Sequence, residues 1–159
     1  MSGGPADGAD RSDSDGQGPD EAHRRPPGTS DETVEALGKL SEALETVERV
    51  RGHLYALHQW SGHADLQLQD AVELFRKAGH DDLADALERD LVGRNVIAGR
   101  WTFQVVEDYD DGYYAAFKGL ERRARDELVG GKRHLYEAEM KERERSKGRP
   151  GHEATPADT

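Results

Sequence analysis

A long apolar stripe in the N-terminal half of the chain constrains the fold more than any other feature. It consists of leucine and valine residues at spacings of three and four: Leu37, Leu40, Leu44, Val47, Val50, Leu54 and Leu57. This spacing places every member on one face of an α-helix. The pattern predicts a helix over 30–60, about 45 Å long, with Thr29 and Glu32 forming a capping box at its start.

Two shorter helices are predicted to follow as a hairpin over 64–92. Ser61 and Gly62 interrupt the apolar pattern, which resumes near Ala64 and ends at Gly79. Glycine is common just past a helix C-terminus, and Asp81 or Asp82 supplies an N-cap for the next helix.

A second long helix is predicted over 96–129, because its apolar residues follow a heptad-like, coiled-coil spacing in which Asp110 and Tyr113 share the inward face. Several glycines weaken its beginning, so a start only near Trp101 stays open. Gly130 and Gly131 end it, and an amphipathic helix follows over 132–146. We therefore expect an all-α fold: a bundle of four or five helices with two long antiparallel helices and a short helical hairpin.

The two ends of the chain are too polar to join this core. Residues 1–29 are rich in Gly, Asp, Ser and Pro, and residues 147–159 have a similar character. Such segments bury too little apolar surface to offset the entropy of ordering. The predicted organisation is a disordered acidic tail over 1–29, a helical domain over 30–146 and a disordered tail over 147–159.

The charge balance excludes several partners. With 33 acidic and 22 basic side chains, the chain repels nucleic acid and anionic membranes over most of its surface. There is no cysteine, so disulfides and thiolate metal sites are excluded. The sequence shows neither a signal-peptide pattern nor an apolar run of membrane-spanning length, and we expect a cytoplasmic protein.

Motifs for metal or catalytic chemistry are weak. No histidine in the predicted domain follows a glutamate by three residues, as di-metal bundles require. His53, His58 and His63 each turn about 140° from one to the next and so diverge. The pair His80-Asp81 resembles the all-helical HD-type metal phosphohydrolases, which would imply metal-dependent hydrolysis, but helix caps explain the same residues. We expect no cofactor, no resident metal and no enzymatic activity.

One segment, Arg100 to Tyr114, is the most plausible place for a site. It holds half of the chain's Trp, Tyr and Phe residues and several carboxylates. A buried carboxylate at Asp110 requires a partner, for which Arg51 and His58 are the candidates. One interpretation is an interhelical ion pair that fixes register. The other is a pocket for a small cationic or polar ligand, with these candidate residues: Arg100, Trp101, Asp110, Tyr113, Tyr114, Arg51 and His58.

The functional expectation is a non-enzymatic helical interaction or scaffold protein. A long helix overhangs shorter neighbours and leaves part of its apolar stripe uncovered, which favours a homodimer or another protein partner. The C-terminal helix, with Leu135, Tyr136 and Met140 among charges, could dock on such a partner. The alternative function is a small-ligand or metal-binding helical bundle.

Overall fold

A computed structural model describes residues 18–155 of the protein. Its elements are a 3₁₀ turn (Glu21–His23), α1 (Asp31–Lys77), α2 (Asp81–Asp90), α3 (Thr102–Tyr109), a π-helical turn (Asp110–Tyr114), α4 (Ala115–Val129) and α5 (Leu135–Glu144). Within residues 18–155 there is no β-strand, and Ile97 and Arg100 form an isolated bridge. The predicted all-α class is confirmed.

The break predicted at Ser61 and Gly62 is wrong, because α1 runs through it to Lys77. A glycine inside a helix costs only about 1 kcal/mol relative to alanine. The Ser61 hydroxyl donates to the Leu57 carbonyl at 2.7 Å, so it finds a partner without ending the helix. The first arm of the predicted hairpin is therefore the end of α1, and α2 is its second arm.

The N-terminus of α1 is capped one residue later than predicted. The Ser30 hydroxyl accepts from the Thr33 amide at 3.2 Å. Ser30 therefore takes the capping position predicted for Thr29. The third residue after this cap is Thr33, where a capping box needs Glu or Gln, so Glu32 does not take the predicted role.

The N-cap of α2 is His80, without a side-chain capping bond, so the prediction of Asp81 or Asp82 as the cap is wrong. Both aspartates lie in the first turn, where a negative charge stabilises the helix dipole. Gly79 has a φ of 81°, as the predicted glycine stop requires.

The second long helical segment begins at Thr102. Of the two predicted starts, the later one near Trp101 is confirmed and the start at residue 96 is wrong. Gly93 and Gly99 have φ values of 69° and 75°, a left-handed backbone that an α-helix excludes. The predicted stop at Gly130 and Gly131 is confirmed by φ values of 64° and 77°.

The structure divides into two compact units, each formed from segments distant in sequence. Unit 1 contains the described residues up to Ser41 and those from Glu121 onward, and unit 2 contains Glu42–Leu120. The core of unit 1 is a cluster of four buried side chains with Ala124 packed against it: Val34, Leu37, Val129 and Leu135.

The segment before α1 contacts α5 and the residues that precede it. Lys132 Nζ donates to the carbonyl oxygens of Glu21 and Arg24 at 2.7 and 3.0 Å, next to the C-terminus of the 3₁₀ turn. The guanidinium of Arg25 binds both carboxylate oxygens of Glu139 at 2.6 and 2.7 Å. The predicted boundary at residue 29 stays a prediction, and residues 1–17 of that tail lie outside the described range.

Unit 2 buries few apolar side chains: Val47 and Val72 of α1, Ala84 of α2 and Val106 of α3. Within it, α2 lies antiparallel to the end of α1, where Arg76 pairs with Asp85 and Glu88. Seven large apolar residues of unit 2 stay more than half accessible: Trp60, Leu66, Leu74, Val96, Trp101, Tyr113 and Leu120.

Candidate functional site

The candidate site lies where α1 pairs with the segment 102–118 inside unit 2. Three side-chain contacts proceed in antiparallel order: His58 to Thr102, Arg51 to Asp110 and Glu48 to Tyr114. Residue numbers fall along α1 as they rise along the partner segment. The three contacts together define the register of the two segments.

The ion pair of Arg51 and Asp110 lies at the centre of this register. Arg51 Nε donates to Asp110 Oδ1 and a terminal nitrogen donates to Oδ2, both at 2.7 Å. The pairing is bidentate, the strong and directional form of a guanidinium–carboxylate contact. Both side chains keep about a third of their surface in solvent. Of the two predicted partners of Asp110, Arg51 is confirmed, whereas His58 bonds the Thr102 hydroxyl at 2.8 Å.

Asp110 also begins the π-helical turn. The Ala115 amide donates to the Asp110 carbonyl, an i to i+5 bond that holds one residue more than an α-helical turn. Gly112 lies inside the turn, where its low helix propensity weakens the competing α-helical geometry.

The extra residue shifts the inward face of the helix by one position. Tyr113 and Leu120, which the heptad pattern placed inside, are exposed, and so is Leu128. Tyr114 is half-buried instead, and Glu121 and Val129 are buried. The inward orientation predicted for Tyr113 is therefore wrong, because the pattern assumed an uninterrupted α-helix.

Tyr114 is the aromatic centre of the cluster. Its hydroxyl donates to a carboxylate oxygen of Glu48. Lys118 Nζ lies 3.9 Å from its ring centroid and the Arg51 guanidinium 5.6 Å, both suited to cation–π attraction. The neighbouring Tyr109 donates to the Val47 carbonyl at 3.3 Å.

The electrostatics favour a charged Asp110 and neutral tyrosine hydroxyls at Tyr109 and Tyr114. Hydrogen bonding to Arg51 holds the pKa of Asp110 below its usual value. The bond to Glu48 raises the pKa of Tyr114, and burial raises that of Tyr109. A charged Asp110 with both oxygens bound by Arg51 is poorly placed to act as a general base.

Arg100 and Trp101 lie apart from this cluster. Arg100 pairs with Asp108 at 3.1 Å on the exposed surface. The Trp101 ring packs against Phe103 in a tilted arrangement, with ring centroids 5.3 Å apart. Trp101 also lines an open cavity of about 250 Å³ with parts of α1 and of the loop after α2: Ser61, Gly62, Asp65, Gly93, Arg94, Asn95, Val96, Thr102 and Phe103.

The seven predicted site residues thus form two groups. Arg51, Asp110 and Tyr114 are brought together, while Tyr113 lies on the outer side with tilted and edge-on ring contacts to Tyr109 and Phe117. The other group is Arg100, Trp101 and His58 near the start of α3. Their roles in ligand binding stay predictions.

Glu48 and Lys118, which both contact Tyr114, were not predicted from the sequence. Helical spacing contained a signal for Lys118, because it lies four residues after Tyr114. That signal becomes useful only once the π turn makes Tyr114 the inward residue.

The metal-binding alternative finds no donor cluster in the described part of the chain. Among residues 18–155, no three His, Asp or Glu side chains converge in a way that could hold an ion. His80 packs its ring on Phe75 with centroids 6.1 Å apart, while His58 bonds Thr102.

No helix in residues 18–155 combines the length and apolar character needed to cross a membrane. Comparison with known proteins finds no match to a family model, a curated protein or a solved structure.

Proposed function

We propose that this protein is a non-enzymatic helical interaction or scaffold protein that associates with itself in the cytoplasm. The observation that carries the proposal is the exposure of large apolar side chains in unit 2. Trp60 and Leu74 of α1 are each more than 60% accessible. Monomeric proteins rarely leave a contiguous apolar patch of several hundred Å² in water, and such a patch usually marks an interaction surface.

The central cluster supports a structural role. A bidentate pair between two helices fixes their register, since a shift along either helix would separate two charges from their hydrogen bonds. The carboxylate of Asp110 is occupied by Arg51. A site for substrate chemistry would instead leave such a group available.

The test is the mass of the purified full-length chain. Multi-angle light scattering and native mass spectrometry at micromolar concentration should give twice the monomer mass of 17.6 kDa. A monomer throughout the micromolar range would contradict self-association. Elemental analysis of the same sample would report any retained metal.

A second candidate function is binding of a small cationic or polar ligand at the cavity of about 250 Å³ beside Trp101. The observation in its favour is that two aromatic rings, Trp101 and Phe103, line this cavity together with polar side chains such as Asn95 and Thr102. Aromatic walls with a few polar groups are typical of ligand sites.

This candidate predicts a small molecule retained at stoichiometry in native mass spectra. Trp101→Ala should release it, and Trp60→Ala, on a different part of unit 2, should not. A chain that purifies without any such species, and gains none from a metabolite extract, would contradict the candidate.

A further inference from the structure

α1 carries a second, largely apolar row in addition to the one that packs inside unit 2, and Val50 and Leu57, predicted to share a single stripe with Val47, belong to this second row. We name it the outer stripe; it follows a strict heptad over 25 residues: Val50, His53, Leu57, Trp60, Ala64, Gln67, Ala71 and Leu74. None of the eight is Asp, Glu, Lys or Arg, in a chain where 35% of residues are charged. Absence of charge marks the central part of a protein interface.

The outer stripe is accessible along its whole length. Val50, Leu57, Trp60 and Leu74 are 48, 40, 70 and 64% exposed, and only Ala71 is partly covered. The inner row of α1 holds the residues that bind the facing segment, among them Arg51 and His58. Unit 2 therefore leaves much of the outer stripe accessible, most of all at Trp60 and Leu74.

The partner segment extends the same surface. Val50 and Leu57 each precede an inward residue by one position, and Tyr113 likewise precedes Tyr114. Along two antiparallel helices that face each other, the residue before an inward one points to the same side on both. Tyr113 and Leu120, two turns apart and 57 and 62% exposed, thus lie on the side of the outer stripe.

The exposed area suits a dimer interface. The exposed parts of the six large apolar side chains on this side amount to roughly 600 Å². This equals or exceeds the largest patch expected on a monomer, about 300–600 Å², and approaches the roughly 800 Å² that each partner contributes to a standard interface.

We propose that the outer stripe pairs with the outer stripe of a second copy of this chain, with the two α1 helices antiparallel. The inference rests on the proposed self-association and names the surface and geometry responsible. A two-fold interface requires that if one residue contacts another, the reverse contact also forms. The outer stripe meets this requirement in antiparallel order, with residue 62 on the two-fold axis.

Side-chain size supports the antiparallel order. The large residues lie mainly in the first half of the stripe and the small ones mainly in the second half. Antiparallel pairing puts Trp60 opposite Ala64 and His53 opposite Ala71 of the other copy. Close packing needs large residues against small ones, whereas parallel pairing would put Trp60 against Trp60 and leave space at the alanines.

Absence of charge on the stripe also matters for two like-charged molecules. Each copy carries a net charge of −11, so the copies repel at a distance. An uncharged contact row lets them meet without burying a carboxylate.

Cysteine cross-linking tests the geometry, because the native chain contains no cysteine. His53→Cys and Ala71→Cys variants of the full chain are mixed and mildly oxidised. The mixture should give a disulfide-linked heterodimer. Each variant alone should give little, because 18 residues, about 27 Å along a helix, separate 53 from 71. Efficient self-cross-linking of each variant alone, or no excess in the mixture, would overturn the antiparallel pairing.

A substitution test separates this inference from the proposed function. Trp60→Glu places a charge at the centre of the stripe and should weaken the dimer at least about 30-fold. The matched control is Leu66→Glu, equally exposed on α1 but off the stripe, which should leave the dimer unchanged. Helical content by circular dichroism confirms that both variants fold.

The outcomes divide as follows. If the native chain is monomeric, both the proposed self-association and the outer stripe pairing fail. If the native chain and the Trp60→Glu variant are both dimeric, the protein self-associates through another surface and the present inference alone fails.

Discussion

In unit 1, the beginning of α1, the end of α4 and α5 converge on a cluster in which Val34, Val129 and Leu135 are almost fully buried. In unit 2, α1 continues with α2 and α3 as partners, yet Trp60, Leu66 and Leu120 remain largely in water. A third segment gives unit 1 a closed core, whereas the α1 and α3 pair in unit 2 leaves one side uncovered. Two helices cannot cover each other's apolar faces completely.

The largest expected effect breaks the closed core of unit 1. Val129→Asp puts a charge at a position that is 1% exposed, and should cost at least about 3 kcal/mol of unfolding free energy. The matched control is Leu128→Asp, since Leu128 is 53% exposed. Its cost should stay within about 1 kcal/mol.

Urea denaturation measures both variants, and hydrogen exchange shows whether protection is lost first in unit 1. Equal losses at 128 and 129 would contradict the shifted helix face.

The second-largest loss of stability is expected from the pair of Glu121 and Arg125 in unit 1. Glu121 accepts from Arg125 Nε at 2.7 Å and from the Ser41 hydroxyl at 3.3 Å. Glu121→Ala leaves the largely buried Arg125 guanidinium with its bond to the Gly131 carbonyl but without a counter-charge, and should lower stability by about 2–4 kcal/mol.

The double variant Glu121→Leu with Arg125→Met removes both charges and should recover much of that loss in the same denaturation experiment. If the double variant is as unstable as the single one, the stranded charge is not the cause.

The third prediction concerns the half-exposed pair of unit 2 and its pH dependence. Asp110→Asn should be less stable than the native chain at pH 7, by less than Glu121→Ala. Arg51 lowers the pKa of Asp110 in the folded state. The pair therefore stabilises the fold above the usual Asp pKa of about 3.9, and this contribution is lost as the pH falls through the lowered value.

Melting temperatures of both proteins from pH 7 to 2 should accordingly converge at the acid end. Asp111→Asn, at the exposed neighbour, serves as the control and should show no such convergence. A constant difference at every pH would point to packing instead of charge.

The smallest effect is expected for Tyr114→Phe. It removes the hydroxyl that bonds Glu48 but keeps the ring beside Lys118 and Arg51. The melting temperature should hardly change. An absorbance titration should lose a tyrosine that ionises late, because Glu48 raises the pKa of Tyr114. Loss of an ordinary tyrosine near pH 10 would contradict that bond.

Local rules predicted much of this fold. Apolar spacing found the helical segments, and positive-φ glycines such as Gly79 and Gly130 mark their ends. The prediction failed where the free-energy cost of a residue and the gain from packing are nearly equal. Gly62 costs α1 about 1 kcal/mol, and packing on either side offsets this cost, so the helix does not end there. Caps shifted by one residue, as between Thr29 and Ser30, for the same reason.

The candidate site was only partly predictable. Charge burial predicted a partner for Asp110, since a carboxylate on an apolar face needs one, and left Arg51 and His58 as alternatives. Spacing chose Tyr113 over Tyr114 and was wrong, because the choice depends on the π turn, and a single hydrogen-bond shift leaves almost no pattern in residue type. The outer stripe follows a heptad in the sequence but was not predicted, because the residues that stay uncovered are known only from the fold.

In an α-helix the number of residues between two positions fixes the directions in which their side chains point. The π turn changes this relation at one place in the chain. If the turn closed to α-helical geometry with all its residues kept, residues before Asp110 would keep their places opposite α1, whereas those after Tyr114 would rotate by about 100°. Glu121 would then yield its buried position to Leu120, and Val129 to Leu128. The hydrogen-bond geometry of this turn, more than side-chain chemistry, thus selects which of two sets of residues in α4 is used for packing.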